Sequence, residues 1–212
     1  MNLSSLLAQR ASAGRPVGIG LIGAGKFGSM ILAQAQRIEG LHVVGVMDLD
    51  VGRARASLNR VGWPKERYAA ASLADAVKNG TTCVLDDVQA LVSNEQIECV
   101  IECTGHPIAG VRHALAAIDA GKHVVMLNVE ADVLCGPLLA ARARAKGVVY
   151  SMAYGDQPAI ICELVDWVHV CGFELTSAGN GMNFEPRYRY STPDTVWGFF
   201  GWTAEEVAKG DF

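Results

Sequence analysis

Val17-Gly18-Ile19-Gly20-Leu21-Ile22-Gly23-Ala24-Gly25-Lys26-Phe27-Gly28 decides the fold. Val17 to Ile22 is an apolar run of strand length, and Lys26 to Glu39 has helical periodicity, with Phe27, Ile31 and Ile38 on one face. Between them Gly23-Ala24-Gly25-Lys26-Phe27-Gly28 reads G-x-G-x-x-G. In that setting Gly23 permits the tight turn, Gly25 lets a pyrophosphate reach the backbone, and Gly28 lets helix and strand pack closely. The unpaired N–H groups and the positive dipole end of the helix then face the phosphates. Leu41 to Met47 reads as the second strand, and Asp48 at its end lies 20 residues after Gly28, where a carboxylate accepts bonds from a ribose diol. Two other readings exist. One is a glycine turn without a ligand. The other is a methyltransferase loop, which usually has an acid just before the glycines, whereas this chain has Gly20-Leu21-Ile22.

Outward from this unit, strand-length apolar runs alternate with helix-period segments to about residue 179, the pattern of an α/β doubly wound parallel sheet, a Rossmann fold. Helices are expected over Asp50 to Arg60, from Ser72 to Asn79, from Ile108 to Ala120, from Pro137 to Lys146 with Pro137 in the first turn, and from Pro158 to Val170. Strands are expected at Thr82 to Leu85, Gln96 to Glu102, Lys122 to Leu127 and Val148 to Met152, and Phe173 to Ala178 reads as the start of a second sheet. Beyond Asn180 no period is clear until a short helix at Ala204 to Lys209. The division is therefore a helical leader over 1–15 with Leu3, Leu6 and Leu7 on one face, a dinucleotide-binding domain over 16–155, and the start of a substrate domain, left incomplete, over 156–212.

The chain is 50% hydrophobic and 19% charged, with net charge -4 and no long uncharged span. This composition excludes disorder for most of the chain and argues against nucleic acid and membrane as partners. A small-molecule substrate is the expected partner, and a homo-oligomer is compatible with the sequence. The six cysteines form no C-x-x-C pair and read as reduced core residues, and the leader has no apolar signal-peptide region, which together point to the cytoplasm. No metal-ligand spacing stands out.

The cofactor is NADP or NAD. Asp48 repels a 2′-phosphate, while Arg53 and Arg55 at the start of the next helix can pair with one, or can belong to a solvated helix face. Residues that follow strands are the ones to examine for substrate. Thr104 and Gly105, in Cys103-Thr104-Gly105-His106-Pro107, can approach the nicotinamide ribose or form a plain strand-end turn, and His106 reads as a solvated loop residue. Glu130 and Asp132, beside Asn128, either orient a hydroxyl or complement a helix dipole. Asp156 and Gln157, in Gly155-Asp156-Gln157-Pro158, either hold a polyol or carboxylate or cap a helix. Arg187-Tyr188-Arg189 is either an anion clamp or a surface pair around an aromatic anchor.

These runs, with Val100-Ile101-Glu102-Cys103-Thr104-Gly105 and Gly121-Lys122-His123-Val124-Val125-Met126-Leu127-Asn128-Val129-Glu130-Ala131-Asp132, resemble the homoserine-dehydrogenase-like NAD(P)-binding proteins that carry a SAF domain. Within them the chain is similar to the 1-deoxy-D-xylulose 5-phosphate reductoisomerase-like (DRL) group. The resemblance implies an NADPH-dependent reductoisomerase of isoprenoid-precursor type acting on a sugar phosphate, and a longer protein with further domain after residue 212. Homoserine dehydrogenases proper have a lysine where Val129 follows Asn128, which argues against homoserine as substrate. The resulting expectation is an oxidoreductase. Its cofactor residues are Gly23, Gly25, Lys26, Phe27, Gly28, Asp48, Arg53, Thr104, Gly105 and Asn128. Its substrate-facing residues are Glu130, Asp132, Asp156 and Gln157, and the alternative is a non-catalytic NAD(P)-binding redox sensor.

Overall fold

The computed structural model describes residues 2–154, 157–179, 185–192, 194–199 and 201–209. In chain order the elements are α1 (Leu3–Ser12), β1 (Val17–Ile22), α2 (Lys26–Ala35), β2 (Leu41–Met47), α3 (Val51–Arg60), α4 (Leu73–Asn79), β3 (Cys83–Leu85) and α5 (Val88–Ser93). They continue with β4 (Cys99–Glu102), α6 (Pro107–Asp119), β5 (His123–Met126), α7 (Val129–Lys146), β6 (Tyr150–Met152), α8 (Gln157–Val170), α9 (Val196–Phe199) and α10 (Ala204–Lys209). The six strands are all parallel in the order β3-β2-β1-β4-β5-β6. This is the expected doubly wound Rossmann sheet, with the strand order reversing direction at β1, beside β4.

Alternation along each strand feeds two cores. Leu21, Val43 and Val46 pack with Leu32 of α2 and Leu58 of α3, while Ile22, Val44 and Val100 pack with Ile118 of α6 and Leu139 of α7. Trp63 closes the first core from the loop after α3, buried and donating its indole N–H to the Leu32 carbonyl at 2.9 Å.

Several expectations need correction. α2 ends at Ala35, not Glu39, because the chain tightens into i→i−3 bonds from Arg37 to Gln34 and from Ile38 to Ala35 before entering β2. The strand expected from Gln96 begins at Cys99. α7 begins at Val129, two turns before Pro137, because the Asn128 side chain caps it by accepting from the Ala131 N–H at 3.0 Å. Pro137 therefore lies inside the helix, where the carbonyl it orphans is that of the exposed Val133, open to water. α5, announced by Asp87, whose carboxylate accepts from the Gln89 and Ala90 N–H groups, was not among the expected helices. Residues 173–178 form no strand, since no described segment pairs with them.

The cysteines are free, but only Cys83 and Cys103 are buried. Cys162 and Cys171, on and just after α8, are exposed and are not core residues. Burial, then the neighbouring Glu98 carboxylate, pushes the Cys99 thiol up to about 11.

The chain divides into two units, Met1–Ile160 and Ile161–Phe212. Within the second, Tyr188 meets Phe199 edge-on at 5.2 Å, and the Arg187 guanidinium lies over the Tyr188 ring and pairs with Glu185 at 2.6 Å. Thr203 and Glu206 exchange bonds as a capping box at the start of α10. Arg187 thus belongs to a surface pair around an aromatic anchor. Among the described residues no helix is long and apolar enough to cross a membrane.

Adjacent leucines of α7 test the packing. Leu139 is fully buried and Leu138 is 53% exposed, so Leu139→Ala is expected to lower unfolding free energy by about 2–5 kcal/mol. Leu138→Ala should change it by no more than about 0.5 kcal/mol. Urea denaturation of the two variants checks both.

Candidate functional site

The turn between β1 and α2 forms where two strand ends meet it. The Gly23 N–H donates to the Met47 carbonyl at 2.8 Å, and the Cys103 N–H donates to the Ile22 carbonyl at 2.8 Å. Gly23 has φ +93°, a conformation that side chains rarely adopt. At Gly28 a Cβ would collide with the Gly23 carbonyl oxygen, so the first turn of α2 can sit this close only without one. Gly25 differs, because a Cβ there would meet no protein atom within 4 Å.

Among the described residues no side chain caps the start of α2. The starts of α1, α3, α4, α5, α6 and α7 are capped by Asn2, Asp50, Ser72, Asp87, His106 and Asn128. A helix start without a side-chain cap leaves first-turn N–H groups that an anion can satisfy, and beside Gly25 there is open space for one. This geometry fits a dinucleotide's pyrophosphate.

Asp48 is 3% exposed. Its Oδ2 accepts from the Ala24 N–H at 2.8 Å, and its Oδ1 accepts from the Asp50 N–H at 3.0 Å and from Arg53 Nη2 at 2.7 Å. Burial alone would raise this carboxyl, but the Asp50 and Ala24 N–H groups and the Arg53 guanidinium together hold it below the usual carboxylate value. Arg53 is 64% exposed beyond the pair. Arg55 turns away, donating to the Tyr68 carbonyl at 3.2 Å.

Gly23, Gly25, Asp48 and Arg53 line a cleft of about 490 Å³, closed on one side by Leu49 and on the other by Thr104, His106, Ala109 and His113. The cleft lies outside the carboxyl ends of β1, β2 and β4, where ligands of open α/β sheets bind. Behind its far wall Glu102 is fully buried, and Thr104 Oγ1, at 2.6 Å, and His113 Nδ1, at 3.0 Å, meet on its Oε1. Cys103 also lines the cleft, but burial and then the Glu102 charge push its thiol far up, so it stays protonated.

The remaining expected residues fall elsewhere. Lys26 and Phe27 are exposed on the first turn of α2, Gly105 is exposed with φ +71°, and none of the three lines the cleft. Asn128 is buried and stays behind Thr104, its Nδ2 donating to Thr104 Oγ1 at 3.3 Å and to the His106 carbonyl at 3.1 Å. Glu130 and Asp132 sit in the first turn of α7, where acids complement a helix dipole, and neither lines the cleft. The Asp132 carboxylate accepts from the Tyr150 hydroxyl at 2.8 Å. Burial, then Asp132, raises the Tyr150 phenol, which stays neutral. Asp156 and the Gln157 side chain lie outside the described residues.

Glu102, His113 and Leu49 are site residues that the sequence reading did not single out. The one available signal was Glu102 itself, an acid closing the apolar run Cys99-Val100-Ile101. Among the described residues no three His, Cys, Asp or Glu side chains are grouped to hold a metal ion.

Residues 17–126, just over half the chain, match the family described as oxidoreductase family, NAD-binding Rossmann fold. Residues 155–212 match the catalytic domain of oxidoreductase DRL. Over 86 residues the chain is 40% identical to the 1-deoxy-D-xylulose 5-phosphate reductoisomerase of Anaeromyxobacter dehalogenans, a stretch covering 40% of this chain and only 22% of that relative. Among solved structures, an NAD binding oxidoreductase from Klebsiella pneumoniae has TM-score 0.51 at 22% identity, over 74% of this chain and 39% of that one. Biliverdin reductase from Synechocystis, in complex with biliverdin and NADP+, has TM-score 0.50 at 20% identity, over 65% and 37%. At these identities the likeness is one of fold.

The Asp48 bonds predict a pH dependence. A folded carboxyl held below 3.8 contributes stability that is fully present above that pH and is lost as pH falls through the lower folded value. Asp48→Ala is expected to cost about 1–3 kcal/mol at neutral pH, and its deficit against the parent should shrink as pH drops below 3.8 in urea melts.

Proposed function

Because the chain belongs to the oxidoreductase family with an NAD-binding Rossmann fold, we propose that it works as an NAD(P)-dependent reductase or reductoisomerase that prefers NADPH. Its substrate is a small hydroxylated molecule, phosphorylated or carboxylated and derived from a sugar. The observation that carries this reading is the uncapped start of α2, opening beside Gly25 into a cleft with the exposed Arg53 at its rim.

A nicotinamide dinucleotide held there supplies the hydride chemistry. The chain supplies binding and orientation. The first-turn N–H groups of α2 hold the pyrophosphate. Asp48, fastened to the Ala24 and Asp50 N–H groups, keeps the glycine turn in shape, and Arg53 meets a 2′-phosphate. The Asp48 charge is already balanced by Arg53, so its repulsion of that phosphate is reduced.

The DRL match over 155–212 and the reductoisomerase match support a DRL-type activity over a homoserine-dehydrogenase type. Asp156 and Gln157 fall within the DRL-matched segment and are assigned to the substrate, with Glu130 as a further exposed acid. Asp132 is assigned to anchoring Tyr150 instead.

Calorimetric titration with NADPH and NADH tests the reading. Arg53→Ala should weaken NADPH binding about tenfold or more, as one lost charge-assisted contact does, and leave NADH within about threefold. An equal loss for both cofactors would remove the assigned preference. Gly25→Val fills open space without touching the protein, so it should abolish binding of both cofactors while the melting temperature holds. Oxidation of the reduced cofactor in a screen of sugar phosphates identifies the enzyme. Binding without turnover identifies the sensor instead.

A further inference from the structure

The far wall of the cleft holds a buried acid and an imidazole that cofactor binding through the phosphates does not need. The position of the cleft orders a dinucleotide along it. With the pyrophosphate at Gly25 and the adenosine ribose at Asp48 and Arg53, as proposed above, the base would fall toward Leu49, Ala109 and His113, which line the rest of the cleft. Leu49 is 87% exposed, an apolar side chain left without protein cover beside the ribose position. His113 is part of α6, and its side chain is only 16% exposed.

The Glu102 contacts fix how that imidazole is presented. The Thr104 hydroxyl, the Thr104 N–H and His113 Nδ1 all converge on Oε1 of Glu102. A hydroxyl and an N–H on the same oxygen make it an acceptor, whichever protonation state the other oxygen has, so Nδ1 of His113 carries the hydrogen. In the neutral ring Nε2 then carries the lone pair. Glu102 is fully buried, and its Oε2 has no partner among the described residues. Such a carboxyl is costly to keep inside a domain and serves here to hold one ring in one tautomer.

We propose that His113 is a specificity-determining residue for the base of the cofactor, accepting from the exocyclic amino group of adenine through Nε2, with Glu102 as its positioning residue. This inference rests on the cofactor reading above. Adenine offers a donor at that position and hypoxanthine a carbonyl acceptor, so two acceptors would face each other in the hypoxanthine complex.

The test is titration of the full chain with NADPH and with its hypoxanthine counterpart, followed by cofactor fluorescence. The parent chain should favour the adenine form about tenfold, the worth of one hydrogen bond made against one left unmade. His113→Phe keeps a flat ring against the base and should bind both forms with the preference reduced to within about twofold. Glu102→Gln, which can turn a donor toward Nδ1, should also reduce the preference, a ratio that a merely structural role for Glu102 would not move. Should Glu102→Gln fail to fold, the parent and His113→Phe titrations decide alone. Equal affinity of the parent for the two bases overturns the inference and leaves the cofactor reading standing, as does an undiminished preference in His113→Phe. Failure of the parent to bind either form overturns both.

Discussion

The bond from the Ala24 N–H to Asp48 Oδ2 is the constraint on which the cleft depends. A glycine-rich turn has many conformations open to it, and an unpaired loop would lose conformational entropy each time it closed around an anion. Asp48 removes most of that freedom beforehand. It is placed by β2, it fastens the turn after β1, and its second oxygen orders both the start of the chain toward α3 and the Arg53 side chain. One buried carboxylate therefore links the two strand ends that flank the cleft. The acid that a sequence reading assigns to a ribose is here first of all part of the protein's own framework.

The opposite wall is organised around a second acid, and the two differ in their partners. Asp48 collects backbone N–H groups and an arginine, so its charge is met on both oxygens. Glu102 collects three donors on one oxygen and none that is described on the other. Asn128 completes this wall by bonding Thr104 and the His106 carbonyl with one end while capping α7 with the other, so the loop after β4 and the start of α7 are held as one piece. Rigid walls of this kind favour binding by orientation over binding by loop closure.

The order of strands and helices was legible because burial imposes its period on the residues that face each core. Leu21 and Ile22, adjacent in sequence, go to opposite cores, and the apolar character that each core demands is carried by the residue types themselves. The glycine turn was legible for a similar reason, since Gly23 and Gly28 answer local steric demands. Less legible were features whose partners are far along the chain. Asn128 reads as a cofactor residue after a strand, and its bonds to residues 22 and 24 positions away leave no mark in the local sequence. Pro137 reads as a helix start because a helix interior seldom accepts it, and only the exposure of Val133 explains why this one does. Glu130 and Asp132 read alike as acids just after a strand, and the distant contact that turns Asp132 toward Tyr150 has no local signal.

β3 and β6, the outermost strands, are three residues long each. Among the described residues the ladder at either rim is thus too short to template a continuous intermolecular sheet, and on the β3 side a bridge between Ala70 and Cys83 covers part of it. An apolar parallel sheet, slow to assemble because its pairings are all long-range, is thereby protected against edge-to-edge aggregation by the brevity of its margins.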